Sequence, residues 1–331
     1  MNLSKCFIKL TVLAALASAA IANAADVLWR NTTSGDLGLW IISGSKGTVD
    51  GIQMLSRSCA SVNGCSSAWK IVGTGNFFGD NPGAAIYAKK ACPTSFACKT
   101  NKDILWHNPL TGELQIWFVD AAGMVEDVQS LSWRCGADSG CSAAWKAVGT
   151  GDFNQDGNTD VLWHNLVTGE LGYWALDGNG VVLSAPLLAE QCGPTNGCST
   201  DWKVVGTGDF NQDGFVDILW QHPSDNALGV WLMDGNGHRT SAPTISSVCS
   251  AVPGCTLSSV VVGVGDFNGD SHNDVLWYDP ASGALTAWLL DGHAHVAGTL
   301  ALSWHCDPAT GCPSTWQPVG ILRNDPVGPV F

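Results

Sequence analysis

Four tetrapeptides of one kind stand 57 residues apart: DILW at Asp103, DVLW at Asp160, DILW at Asp217 and DVLW at Asp274. That interval constrains the fold more than any other feature, because equal units of this length bury their faces against one another. A further DVLW begins at Asp26, 77 residues before Asp103, so the register holds except for one insertion of about twenty residues between Ala84 and Lys102. Other landmarks keep step. Fourteen residues after each aspartate stands a tryptophan, at Trp40, Trp117, Trp174, Trp231 and Trp288, and each unit then reaches WKIVGTG, WKAVGTG, WKVVGTG, SVVVGVG or WQPVGIL. Runs such as DVLWHN and LGYWALDG are rich in β-branched and aromatic residues and too short for helices, so they read as strands, four to a unit.

Five four-stranded units describe an all-β, five-bladed β-propeller occupying 25–331. The ends of the chain support it. Sequence after residue 24 opens on a D-x-L-W strand, and the chain's last apolar run is WQPVG, which at every other junction precedes D-x-L-W. The C-terminal strand is therefore expected to complete the N-terminal blade and close the ring, leaving no open edge. An open solenoid would want capping repeats, and none is visible. At the two most regular positions, the series from Trp29 and the series from Trp40, tryptophan serves blade packing. Trp133 and Trp304, shared by only two units, are candidates for contact with a ligand.

Between the VGTGDF strand and the D-x-L-W strand lies D-x-N-x-D-[GS]-x-x-D. Asp152, Asn154, Asp156 and Asp160 make one set; Asp209, Asn211, Asp213 and Asp217 the second; Asp266, Asn268, Asp270 and Asp274 the third. Oxygens at positions one, three, five and nine can converge in a tight loop, joined by the backbone carbonyl of position seven, here Asn158, Phe215 or His272. An all-oxygen nest suits a hard ion taking six to eight ligands, so Ca²⁺ is expected at about three sites. An EF-hand would need glutamate at position twelve, where this chain has Trp163, Trp220 and Trp277. The plain alternative is an Asp/Asn/Gly turn bonding its own backbone. Ser271 stands where the other two loops have glycine, a costlier backbone position, so the third site is expected to be the weakest. In the first blade the corresponding stretch, NFFGDNPGA, lacks the ligand pattern, and no metal is expected there.

GTGDFNQDGNTDVLWHN and GTGDFNQDGFVDILWQH resemble the FG-GAP or VCBS repeats of integrin-type propellers and related secreted bacterial proteins. The resemblance covers the chain beyond residue 24. It implies calcium on the three loops just named, but no single activity, since the class includes adhesion modules, lectins and propeller domains of polysaccharide-cleaving enzymes.

Residues 1–24 read as a secretory signal peptide: Lys5 and Lys9, an apolar run to Ile21, and Ala22-Asn23-Ala24 before cleavage. No later stretch is long and apolar enough to span a bilayer as a helix. Twelve cysteines remain beyond the leader, and all fall at C-x5-C spacing: Cys59 with Cys65, Cys92 with Cys98, Cys135 with Cys141, Cys192 with Cys198, Cys249 with Cys255 and Cys306 with Cys312. An even count behind a signal peptide points to disulfides and a secreted or periplasmic protein. Loss of two lysines with the leader takes the formal charge from −14 to −16, which repels nucleic acid and suits bound cations. No nucleophile elbow, zinc-protease helix or phosphate loop is present. The reading that follows is a non-enzymatic binding or adhesion module for a glycan or cell-surface protein, with polysaccharide lyase or glycosidase as the alternative. The oligomeric state is not encoded in any pattern here.

Overall fold

The computed structural model describes residues 25–43, 47–57, 68–75, 77, 103–119, 124–131, 133, 144–178, 180–189, 201–246, 255–302 and 315–322. They form five antiparallel sheets. Blade 1 takes β1 (Asp26–Asn31), β2 (Leu37–Ser43), β3 (Thr48–Met54) and, from the other end of the chain, β21 (Trp316–Leu322). Blade 2 is β4 (Lys70–Gly75), β5 (Asp103–His107), β6 (Leu114–Val119) and β7 (Val125–Ser130). Blade 3 is β8 (Trp145–Gly151), β9 (Asp160–Asn165), β10 (Leu171–Leu176) and β11 (Val182–Ser184). Blade 4 is β12 (Lys203–Gly208), β13 (Asp217–His222), β14 (Ala227–Met233) and β15 (Arg239–Ser241), with β16 (Thr244–Ser246) also on β14. Blade 5 is β17 (Val260–Gly265), β18 (Asp274–Asp279), β19 (Ala284–Leu290) and β20 (Val296–Ala301). The expected closure is present: β21 pairs β1 from Asp26 opposite Leu322 to Asn31 opposite Trp316.

The inner strands β4, β8, β12, β17 and β21 touch one another in that order and back to β4, which makes the five sheets a ring. Their V-G pair sits at a bulge in all five blades, where the glycine lets the next inner strand approach. A methyl group on Gly206 would stand 2.6 Å from Val264, and one on Gly263 would stand 2.7 Å from Ile321. Threonines add a ladder across the blades: Thr207 Oγ1 donates to the Thr150 carbonyl at 2.6 Å, Thr150 Oγ1 to Thr74 at 2.9 Å, and Thr74 Oγ1 to Ile321 at 2.6 Å.

Each D-x-L-W strand is buried on both faces. Val27 and Trp29 pack towards Leu276 and Tyr278 of blade 5, whereas Leu28 packs towards Trp106 and Trp117 of blade 2, so alternate residues serve opposite interfaces. The tryptophan series pair inside each blade, with ring centroids 4.2 Å apart for Trp29–Trp40 and 5.0 Å for Trp106–Trp117, as core packing requires. The residue after the motif reaches the next blade's indole: Arg30 stands over Trp106, His107 edge-on to Trp163, His164 edge-on to Trp220, and Tyr278 edge-on to Trp29. The outer strands are short where proline ends them. Pro186 and Pro243 follow β11 and β15 in the same S-A-P context, and a residue without an N–H is tolerated only at such edges.

The leading aspartate of each motif strand is buried and brackets its blade. Its Oδ1 accepts an amide sixteen residues on, at the end of the neighbouring strand: Ile42 for Asp26, Val119 for Asp103, Leu176 for Asp160, Met233 for Asp217 and Leu290 for Asp274. In four blades Oδ2 accepts a phenylalanine amide from the preceding connection, those of Phe77, Phe153, Phe210 and Phe267. Replacing Asp103 with alanine orphans two buried amides at about 1–3 kcal/mol each. Urea unfolding of Asp103→Ala is expected to show a loss of roughly 2–5 kcal/mol, and a loss below about 1 kcal/mol would remove the bracket from the account of stability.

Candidate metal centre

Three connections, β8–β9, β12–β13 and β17–β18, carry the D-x-N-x-D pattern, and they lie at the same end of the ring because the inner strands all run one way. In the first, Asp152 Oδ1 accepts the Asp156 amide at 3.1 Å and Oδ2 the Gly157 amide at 2.8 Å. Asn154 Oδ1 accepts the same Asp156 amide at 3.1 Å, and Asp156 Oδ1 accepts the Asn158 amide at 2.8 Å. Positions one, three and five therefore gather around one point. The second loop repeats this with Asp209, Asn211, Asp213 and Phe215. In the third, Asp266, Asn268, Asp270 and His272 do the same. The backbone is left-handed at position six, at Gly157 (φ 88°), Gly214 (φ 86°) and Ser271 (φ 69°). Serine carries a steric cost there that glycine does not.

The ninth-position carboxylates, Asp160, Asp217 and Asp274, are fully buried and are the bracket residues described above. Burial pushes each up to about 7 against the pull of its two amide donors, and the carboxylates at positions five and one push in the same direction. Asp152 is raised as well, chiefly by burial. No described lysine or arginine pairs with these groups. The donor set is thus rich in oxygen and short of positive charge, which is the chemistry a hard divalent ion relieves. Among the described residues no three His, Cys, Asp or Glu side chains stand as a finished coordination shell. The third- and fifth-position side chains are bonded to each other: Asn154 Nδ2 donates to Asp156 Oδ2 at 2.9 Å, and Asn211 and Asn268 do likewise to Asp213 and Asp270. A rotation of the amide and the fifth-position carboxylate would free that oxygen, while the ninth-position oxygens keep lone pairs beyond those given to the amides.

Several parts of the site are not evident from the ligand pattern. The seventh-position side chains pack onto the turn between the third and fourth strands of their own blade: Phe215 lies against Gly235 and His272 against Gly292, where a Cβ would collide with the ring. Loops two and three are also joined, since Asn273 Nδ2 donates to the Asp209 carbonyl at 2.7 Å. Asp291-Gly-His-Ala-His is a turn: Asp291 Oδ1 accepts the His293 and His295 amides, as Asp234 Oδ1 accepts those of Asn236 and His238. Trp133 is half exposed, 47%, with its ring edge-on to Trp174 at 6.0 Å.

Of the twelve cysteines expected to pair, the described residues include one. Cys255 is disulfide-bonded. The pairings expected for Cys59 and Cys65, for Cys92 and Cys98, for Cys135 and Cys141, for Cys192 and Cys198, and for Cys306 and Cys312 lie outside the described residues, as does Cys249. Trp304, the insertion and residues 1–24 lie outside them too. No described helix is long and apolar enough to cross a membrane.

Residues 209–277 match the FG-GAP-like repeat family. Among curated proteins no sequence matches the chain. Solved structures resemble it at low identity. An Agrocybe aegerita lectin, described as recognising non-reducing terminal N-acetylglucosamine, is 15% identical with a TM-score of 0.47 over 89% of this chain and 70% of its own. A structure of a nidogen/laminin complex is 10% identical with a TM-score of 0.39, covering 90% of this chain and 97% of the other. A Chaetomium thermophilum Nup170–Nup53 complex is 9% identical at 0.30, covering 88% and 37%. None of these likenesses is close enough to say what this chain binds. The matched stretch holds the second and third loops with β13 and β17 between them, and it lies within a closed ring of five blades, so the chain is a five-bladed β-propeller that carries an FG-GAP-like repeat over 209–277.

Proposed function

We propose that this protein is a secreted, calcium-stabilised binding module for a glycan or cell-surface partner, and not a catalyst. The observation that carries the reading is repetition: three loops at one end of the ring hold the same side chains in the same hydrogen-bond pattern. Catalysis needs one unequal set of groups, whereas equal sites add avidity from individually weak contacts. Asp152, Asn154, Asp156 and Asp160, with the Asn158 carbonyl, would hold one ion, and the two later loops one each. The ion's contribution there is positive charge and a locked turn. Trp133 offers an indole face suited to a sugar ring. The rival reading, polysaccharide lyase or glycosidase, would draw on the unequal histidines of blade 5, but His293 and His295 occupy the same kind of turn as their blade 4 counterparts.

Metal-free protein should respond to pH in a direction opposite to the usual one. With Asp160, Asp217 and Asp274 at about 7, the folded chain keeps protons that the unfolded chain releases near the ordinary aspartate value of 3.8. Their stabilising contribution is therefore complete below about pH 4 and is lost as pH rises through 7. His107, lowered to about 4 by burial and then by Lys146 and Lys70, works the other way, gaining stability between about 4 and 6.5. Three aspartates outweigh one histidine. In EDTA the melting temperature should fall from about pH 5 to about pH 8, and in millimolar calcium it should rise over that range; identical profiles in both would remove the ion from the account.

A glycan array probed with and without chelator tests the partner. Hits that vanish in EDTA and return with calcium are expected, and a silent array would shift the partner to a protein. Release of unsaturated sugars from acidic polysaccharides would overturn the non-enzymatic reading.

A further inference from the structure

The opposite end of the ring carries a charge pattern that the loops do not explain. Lys70 and Lys203 open β4 and β12, and Lys146 is the second residue of β8, so three successive inner strands begin with a lysine. Register fixes their level: Lys70 lies opposite His107, Lys146 opposite His164 and Lys203 opposite Gln221. The remaining inner strands have Val260 and Gln317 at this level. Lys70 and Lys203 are exposed and Lys146 half-buried. None of the three ammonium groups makes a hydrogen bond or ion pair within the described structure. Lys70 of blade 2 and Lys146 of blade 3 both act on the buried His107 that lies between those blades, and Lys203 stands at the same level one blade further on. In a chain of formal charge −14, three unpaired ammonium groups around one axis call for a counter-charge.

The surroundings narrow its shape. At the same end, the turn after each D-x-L-W strand places one carboxylate per blade farther from the axis: Asp36, Glu113, Glu170, Asp225 and Asp279. Each is held by its own turn, as Ser34 Oγ holds Asp36 at 2.6 Å and Thr168 Oγ1 holds Glu170 at 2.8 Å. A basic centre inside an acidic rim repels a polyanion laid across the face. It admits a single anionic group entering along the axis.

We propose that Lys70, Lys146 and Lys203 form an axial site for one sulfate or carboxylate group at the end of a glycan chain, distinct from the acidic loops at the other end. The identity of the carrier rests on the glycan-binding reading; the anion site itself does not. The test is calorimetric titration of the full secreted chain in calcium with glucose 6-sulfate, glucuronate and glucose, and with inorganic sulfate as competitor. Both acidic sugars should bind, glucose should not bind at this site, and inorganic sulfate should displace them. The variant K70Q/K146Q/K203Q should weaken binding at least about tenfold, while K89Q/K90Q/K99Q, with the same change in charge, should not. The milder K70Q/K203Q, altering exposed side chains alone, keeps the test open if the triple variant unfolds. Equal binding by parent and lysine variants, or equal loss in the control, overturns the site. Binding of inorganic sulfate without either sugar overturns the glycan assignment. Array hits with neutral glycans would stand whatever this titration shows, so the two readings fail separately.

Discussion

The structure depends on a buried carboxylate at the head of each D-x-L-W strand. In four blades the carboxylate satisfies two backbone amides from one position, one from the preceding connection and one from the neighbouring strand, and in blade 1 Asp26 accepts the second of these. The arrangement is costly in water's absence, because charge is taken out of solvent. In blades 1 and 2 the aspartate accepts amides although the sequence before it lacks the D-x-N-x-D pattern. In blades 3, 4 and 5 the same carboxylate tends to hold a proton near neutral pH, chiefly because it is buried, and the loop's aspartates add to the shift. A divalent ion would let all three carboxylates ionise together. Fold and ion would thereby be linked at one side chain, in three blades of five.

The ring was legible in the sequence because its signals are local. A period of 57 residues, alternate apolar residues in D-x-L-W, and tryptophans fourteen residues on are properties of single strands that survive translation along the chain. Even the closure by β21 is a statement about which run precedes which. What escaped is what only the neighbouring blade supplies. Gly206 and Gly263 look like turn residues until the next strand's Val264 and Ile321 are set against them, and Thr150 looks like an ordinary strand residue until its hydroxyl meets Thr74.

At the loops the difficulty was ambiguity, since one residue type serves two ends. Asp160, Asp217 and Asp274 complete a metal-ligand pattern and also hold backbone amides, and spacing alone cannot separate the two uses. The separating signal was present: Asp26 and Asp103 keep the aspartate in units that lack the rest of the pattern. A residue retained where its proposed ligand set is missing has a second reason to be there. The seventh position gave no such hint. A backbone carbonyl is a ligand with any side chain attached, so nothing about Phe215 or His272 announced that their rings would cover Gly235 and Gly292.

The blade interfaces tolerate exchange where the contact is generic and show repair where it is not. Arg30, His107, His164 and Tyr278 share little chemistry beyond a flat face or edge, which is what an indole ring accepts. At Gln221 the interface departs in two further ways: Ser259 replaces the tryptophan of Trp69, Trp145, Trp202 and Trp316, and Asn226 replaces the turn glycine despite a φ of 56°. These departures compensate one another. Gln221 donates to Asn226 Oδ1, and Asn226 Nδ2 donates to the carbonyls of Thr256 and Ser259, so a buried polar bridge stands where the other blades have an aromatic one. The same pair of blades is tied at the opposite end by Asn273 and the Asp209 carbonyl. Blades 4 and 5 are thus coupled by side-chain amides at both ends, where the interfaces from blade 1 to blade 4 have the threonine ladder instead, and an ion entering the second or third loop would act at that joint.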